Sequence, residues 1–483
     1  LSPLIFYLLF FIILNRLNTF QSSLILFAVC VISRTFTSIY YIEDIDSLRF
    51  ALALKEYNIV DLQPHFPGYP VFCFVAKIFF LITNSMGVTF SLIGGISVFI
   101  IIHFTLRLSN IEFYTPLGLF SSALIFLNPL LWLMSNRYMP DIFGVAISIA
   151  GIYFLISKKD DQKAAMIGLF LTGVLAGTRL SYLPLMIIPI YSVMRIHQQR
   201  RYLFYSLISG CIVWLFPLIW VTGIDDLLLA ATKQTMGHFT DFGGTSITDG
   251  NWKIRLAKLF SSIWSDGLGG YWLGRSWQTL FLSIPLVYFT YFGIYYMVNT
   301  FYKDKTYRLM LYSMLAYTVW IFFFQNIIYK SRHVIPILTI LIYFLINGQK
   351  EILWNSIRSK MIVVMFFISL ISVTSVLVTQ HKSQTAISKL KDELLEVDNK
   401  KNIISIPLIQ YYLETHGVMA NYINVKEIGQ VRLIDGIEDV LIVGNYGELF
   451  QNDHQLIPDR IYFHNPYVNR MWPKVETFRL EKK

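Results

Sequence analysis

Stretches of roughly twenty apolar residues recur along this chain, divided by short polar clusters. About twenty such residues are what an α-helix needs to cross the ~30 Å hydrocarbon layer of a bilayer. In hydrocarbon, helices and closed barrels alone satisfy their own backbone polar groups. The recurrence therefore predicts an all-α polytopic membrane bundle. Composition agrees, with 55% of the 483 residues hydrophobic and 14% charged, against roughly 25% charged in a soluble domain. A soluble enzyme is excluded. The net charge of +10 reads as basic cytoplasmic loops, with no nucleic-acid partner.

The apolar segments lie at 22–40, 86–106, 116–134, 142–156, 164–177, 182–194, 202–222, 277–298, 309–328, 334–346 and 361–379, about eleven spans in all. A shorter apolar stretch at 1–14 is either the tail of a further span or an interfacial segment. Basic residues gather on alternate connections: Arg16; Lys158, Lys159 and Lys163; Arg195, Arg200 and Arg201; Lys303, Lys305 and Arg308; Lys350, Arg358 and Lys360. By the positive-inside rule these connections are cytoplasmic. The outer side then receives 41–69, 135–141, 223–276, 329–333 and everything after Gln380. Residues 1–380 are read as a transmembrane domain and 381–483 as a small α/β domain on the outer face, with charges at helical spacing over 383–398 and short buried strands at 402–407 and 439–444. Cys30, Cys73 and Cys211 sit in apolar stretches with no metal-type spacing and read as packing residues.

Ion-coupled transporters keep ionisable residues near span centres. Here the centres are nearly free of charge, and Asp, Arg and His collect at the outer ends. That placement suits chemistry on a lipid-borne substrate at the membrane surface. In the first outer loop Glu43, Asp44 and Asp46 follow the span directly. A carboxylate there, partly desolvated, is expected to have a raised pKa suited to a general base, unless the three merely form a solvated cap. Ser47 is expected to cap an interfacial helix running to Tyr57. His65 stands among three prolines and a glycine, a stiff setting that can hold an imidazole titrating near neutrality.

These features resemble the GT-C class of membrane glycosyltransferases, in the families related to protein O-mannosyltransferase and the lipid A aminoarabinose transferase. The residues that carry the likeness are Asp46-Ser47-Leu48-Arg49-Phe50-Ala51 after the first core span and the QPHFPGYP element at 63–70. Further landmarks are Asn128-Pro129-Leu130-Leu131-Trp132 followed by Asp141, GVLAGTRLSYLP at 173–184, and Arg332-His333 followed by Pro336. One departure is Ile45 between Asp44 and Asp46, where several relatives have adjacent acids.

The resemblance implies an inverting transfer of a sugar from a polyprenyl-phosphate donor to a hydroxyl of a glycan, lipid or protein acceptor. This would occur on the outer face of a bacterial plasma membrane, with the donor delivered among the membrane lipids. Asp46 is the expected base, with Asp44 the alternative. Arg332 and His333 are the expected partners of the donor phosphate, with His65, Arg179 and Arg137 behind them; for Arg332 an interfacial anchor is the plain alternative. Asp141, Glu43, Tyr69 and Trp272 are expected on the sugar or acceptor side, although tryptophans at headgroup level also serve as anchors. No GxGxxG or P-loop cradles a nucleotide. A divalent ion on Asp44 and Asp46 stays open. A transporter or flippase of a lipid-linked sugar would bind similar molecules without bond making, and a non-catalytic receptor would work through its tail.

Overall fold

The computed structural model describes residues 19–240, 243–352, 356–396, 401–425, 440–446 and 454–482. The apolar stretch at 1–14, Arg16 and the start of the strand expected at 439 lie outside them. The helices in chain order are α1 (Thr19–Phe36), α2 (Ile45–Lys55), α3 (Pro70–Thr83), α4 (Met86–Ser109), α5 (Pro116–Phe126), α6 (Pro129–Asn136), α7 (Asp141–Ile152), α8 (Gln162–Arg179) and α9 (Ile187–Ile196). They continue with α10 (Arg200–Thr222), α11 (Ile224–Thr240), α12 (Trp252–Ser261), α13 (Trp277–Thr300), α14 (Lys305–Phe324), α15 (Ile335–Gly348) and α16 (Ile357–His381). A bundle this rich in apolar helices is the expected fold class.

Among the described residues seven helices are long and apolar enough to cross a membrane, or eight if α5 and α6, bent by 54° at Leu127-Asn128, make one span. The expected eleven is not reached on that criterion. Phe20–Phe36 and Asp141–Ser157 are shorter apolar helices, and the segments expected at 164–177 and 182–194 fall within one uninterrupted run, Gln162–Ile196. That run nevertheless folds back on itself. Arg179 leaves helical geometry at φ −155° and lies beside Asp141, while at the far end the His197 imidazole bonds the Lys159 carbonyl at 2.7 Å.

α15 is the axis of the bundle, buried at every position but Leu341, as a helix apolar on all sides must be. α4 packs closely on two partners because it carries Gly94-Gly95 at its middle. A Cβ on Gly94 would stand 1.8 Å from the Ser135 carbonyl oxygen, and one on Gly95 2.7 Å from the Val31 Cα. Small residues at helix contacts give membrane bundles their close packing. α3 begins next to the first loop, and Gly87, just after it, sits against the Ile39 carbonyl at the exit of α1. Both of its ends therefore lie at one end of the bundle, and α3 runs across that end.

The C-terminal part adds α17 (Ala386–Leu395), β1 (Lys401–Ser405), α18 (Pro407–Thr415), β2 (Ala420–Asn424), β3 (Val440–Val443), β4 (His454–Phe463) and β5 (Lys474–Lys482). The sheet order is β2-β1-β3-β5-β4. β1 is parallel to β2 and β3, and β5 is antiparallel to β3 and β4. This is the small α/β unit expected from the tail.

α2 joins the two parts. Phe50, Ala51, Ala53 and Leu54 enter the bundle core, while Ile45 and Leu48 enter a second core with Ile387, Leu390, Tyr412 and Leu441. Each large side chain buried in this way contributes about 1.5–3 kcal/mol. The expected amphipathic interfacial helix is thus covered on both faces. Its cap is Asp44, whose carboxylate accepts the Ser47 amide proton at 2.9 Å, and not Ser47 as the sequence suggested.

Candidate active site

The end of the bundle beneath the C-terminal sheet gathers the ionisable residues. Lys330 Nζ donates to Asp46 Oδ2 at 2.5 Å and Arg332 Nη2 donates to the same oxygen at 2.7 Å, with Arg49 at 3.9 Å from the other. Asp141 Oδ1 faces Arg179 Nη2 at 3.0 Å and Arg332 Nε at 3.9 Å, and accepts from the Tyr182 hydroxyl at 3.3 Å. Arg179 Nη1 also donates to the Tyr69 hydroxyl at 3.2 Å, and that hydroxyl meets His65 Nε2 at 3.0 Å. Arg332, Asp46, Asp141, Arg179 and Tyr69 are all buried. Four cations, Arg49, Arg179, Lys330 and Arg332, thus surround two carboxylates. Arg179 and Arg332 are buried with the two carboxylates, whereas Arg49 and Lys330 keep 16% and 22% of their side chains exposed.

The expected raised pKa of Asp46 is not found. Burial pushes its carboxyl up, but Lys330 and Arg332 outweigh that and hold it well below the usual carboxylate range. A carboxylate so clamped is a poor base. The near-neutral titration expected of His65 is also absent. Burial, opposed by Asp46 and reinforced by Arg49, Lys330 and Arg179, lowers its imidazole to about 3, so it is neutral at pH 7. Its loop is stiff as expected. Gly68 sits at φ +83°, and a Cβ there would stand 2.4 Å from the Tyr57 hydroxyl, which donates to the Gly68 carbonyl at 2.9 Å.

Asp44 and Glu43 belong to a second group. Asp44 accepts from Asn469 Nδ2 at 3.1 Å as well as from the Ser47 amide, leaving lone-pair sites free on a carboxylate that has about four. Glu43 is fully buried; Arg137 Nε lies 3.1 Å from its Oε2, and Arg137 Nη2 and His381 Nε2 lie 3.2 and 2.8 Å from its Oε1. Burial raises the Glu43 carboxyl, yet Arg137 and His381 bring it down to about 2. Glu43 is therefore placed as a clamp between the first loop and the end of α16, and Arg137 ties it to the Val468 carbonyl as well. Between the two groups lies a cavity of about 20 Å³ whose wall includes Asp44, Arg137, Lys330, Arg332 and Arg470. Among its lining residues Asp44 is the sole carboxylate.

The remaining expected residues lie elsewhere. His333 is buried, its Nδ1 finding no hydrogen-bond partner among the described residues and its carbonyl accepting from Tyr317. Trp272 packs on Phe260 with ring centroids 6.0 Å apart and is not part of the cavity wall. Asp44 and Asp46 turn to different partners. Among the described residues no group of three or more His, Cys, Asp or Glu side chains comes together to hold a metal.

Sequence reasoning missed Lys330, the shortest contact of Asp46. Its signal was present: in Lys330-Ser331-Arg332 two cations occur in one short turn. It also missed His381, Asn469 and Arg470. These lie more than 300 residues from the first loop, and no local pattern ties them to it.

No protein-family model and no curated protein sequence matches this chain. Its fold is that of the crystal structure of ArnT from Cupriavidus metallidurans bound to undecaprenyl phosphate. The TM-score is 0.56 at 10% identity, covering 94% of this chain and 97% of that one. The apo state of the same protein gives a TM-score of 0.54 at 10% identity, over 95% and 98% of the two chains. The GT-C fold expected from the sequence landmarks is therefore the fold found.

Proposed function

We propose that this chain is a polyprenyl-phosphate-dependent glycosyltransferase working at the outer face of its membrane. The observation that carries the reading is the gathering of four cations, Arg49, Arg179, Lys330 and Arg332, around only two carboxylates, Asp46 and Asp141. A lipid phosphate is the anion that a membrane delivers to such a place, and undecaprenyl phosphate is bound by the protein of like fold. Arg332 offers a planar fork of donors to phosphate oxygens and Lys330 a point charge. Both would stabilise negative charge growing on the departing phosphate.

The base is reassigned from Asp46 to Asp44. Asp44 faces the cavity and keeps free lone pairs for the proton of an incoming hydroxyl, while Asp46 and Asp141 hold the cations in place. In-line attack on the anomeric carbon forms the new glycosidic bond, breaks the bond to the phosphate oxygen, and passes the acceptor proton to Asp44. Basic connections at the opposite end of the bundle put this site and the C-terminal domain outside. A flippase would need a route through the bundle, whereas the core below the cluster is filled by Tyr182, Tyr317, Ile335 and Leu338, each 0% exposed.

The test uses the purified chain in vesicles supplied with undecaprenyl-phosphate-linked pentoses and hexoses, with release of undecaprenyl phosphate as the readout. Turnover with one of these donors, lost in Asp44→Asn, is expected. Absence of any undecaprenyl phosphate binding that depends on Lys330 and Arg332 would overturn the reading.

A further inference from the structure

The cavity beside Asp44 is about 20 Å³, enough for one water molecule, whereas pockets that hold small-molecule ligands run to about 300–1,000 Å³. A sugar and an acceptor cannot meet there unless a wall moves. One wall does not belong to the bundle. It is the connection at 464–473 between β4 and β5, closed by the pair Phe463–Lys474, with Pro466, Tyr467, Val468, Asn469, Arg470 and Met471 on the cavity.

Most of the bonds that tie this tip to its surroundings are polar. It is shaped from within, since Asn465 Oδ1 accepts the Tyr467 amide at 3.0 Å and Asn469 Oδ1 the Met471 amide at 2.9 Å. Toward the first loop it offers Asn469 to Asp44 and the Val468 carbonyl to Arg137, at 3.1 and 3.2 Å. Toward the opposite rim, Arg470 Nη2 pairs with buried Asp266 at 2.5 Å, and its nitrogens donate to Ser262 and Ser261 at 3.0 and 3.3 Å. Arg275 stacks on the Tyr467 ring at 3.8 Å, and the Tyr467 hydroxyl donates to the Leu273 carbonyl at 3.1 Å. Behind the tip, Met471 and Trp472 pack against the core of the C-terminal domain. The root is thus apolar and fixed, and the rim is held by polar contacts together with Val468, which is buried in the bundle core, and Tyr467, which packs against it.

We propose that the β4–β5 tip is a lid over the acceptor side of the transfer site, latched by Arg470 on Asp266, and that the acceptor enters only when this pair opens. The assignment of the cavity to an acceptor rests on the transfer reading; the movement of the lid does not. Exchange of the ion pair for water exposes the wall formed by Leu130, Leu133 and Met134, and withdraws Asn469 from Asp44 until the lid recloses.

The experiment places one reporter thiol, Met134→Cys, in the full-length chain with Cys211 replaced by alanine; Cys30 and Cys73 are buried. The rate of labelling by a water-soluble maleimide is measured with Arg470, Arg470→Lys and Arg470→Ala. At least tenfold faster labelling is expected for Arg470→Ala, with Arg470→Lys close to the parent. Should Arg470→Ala fail to fold, Tyr467→Phe and Ser262→Ala each remove one rim bond, and a two- to fivefold acceleration is expected from each. Equal labelling rates across correctly folded variants would overturn the lid. Undecaprenyl phosphate binding, measured on the same proteins, separates the two ideas. Arg470-dependent labelling without lipid binding supports the lid and sinks the transfer reading, whereas lipid binding with indifferent labelling does the reverse.

Discussion

Asp44 and Asp46 are two positions apart and do different work because of what reaches them from elsewhere in the chain. Asp44→Asn keeps the cap on α2 and removes a proton acceptor, so turnover should fall by about 10² or more with the melting temperature little changed. Asp46→Asn leaves Lys330 and Arg332 without their carboxylate. Calorimetry should find a loss on the order of 3 kcal/mol together with altered donor affinity. Equal stability of the two variants would count against this division of roles. His65 supplies a pH test. Its imidazole is depressed to about 3 in the folded protein against about 6.5 unfolded, so between those values the unfolded chain takes up a proton that the native one does not. Its contribution is present above about pH 6.5 and is lost as pH falls towards 3. The drop in melting temperature between pH 7 and pH 5 should therefore be smaller in His65→Gln than in the parent. The sequence marked both acids, Arg332 and Arg179 because they stand at the ends of apolar segments, and His65 because prolines and a glycine surround it. It misjudged the protonation of Asp46 and His65 because a pKa is set by neighbours such as Lys330, hundreds of residues away, which composition cannot place.

At the scale of elements, apolar runs located the helices well. Periodicity could not say which of them cross, lie flat or turn back. α3 has a span's composition, but its neighbours hold it across one end of the bundle. The run from Gln162 to Ile196 looks continuous, but Arg179 breaks away to reach Asp141. The cap of α2 was misassigned by three residues because Ser47 and Asp44 are both good capping types, and only the backbone geometry chooses between them. The Gly94-Gly95 pair escaped notice, since a glycine inside an apolar run carries no sign of what approaches it. Gly94→Ala would drive a methyl into the Ser135 carbonyl. It should destabilise the bundle by about 1–3 kcal/mol, seen as a lower melting temperature in detergent, while an alanine at the solvent-facing Gly250, which has nothing within 4 Å, should be tolerated.

For the whole molecule, the fold class and the α/β tail were legible from hydropathy and charge. The dependence of the site on that tail was not. Thr385 donates to the Glu43 carbonyl at 2.9 Å, Tyr412 to that of Ile42 at 2.6 Å, and Asn469 to Asp44. Truncation after Ser383 is therefore no clean separation of catalyst from appendage. It should lower turnover more than tenfold and make the first loop cleavable by added protease; a truncated chain of undiminished activity would contradict this. The hairpin turning at Arg179 has a consequence of another kind. Its two arms share 35 residues, about 26 Å each at 1.5 Å per residue, whereas the 24 residues of α13 reach about 36 Å. If both arms span the bilayer, lipid beside them would thin to match their length, bringing headgroups nearer Asp141 and Arg332. A carrier lipid would then meet the cations with little vertical travel, and turnover in vesicles should decline as the acyl chains of the host bilayer are lengthened.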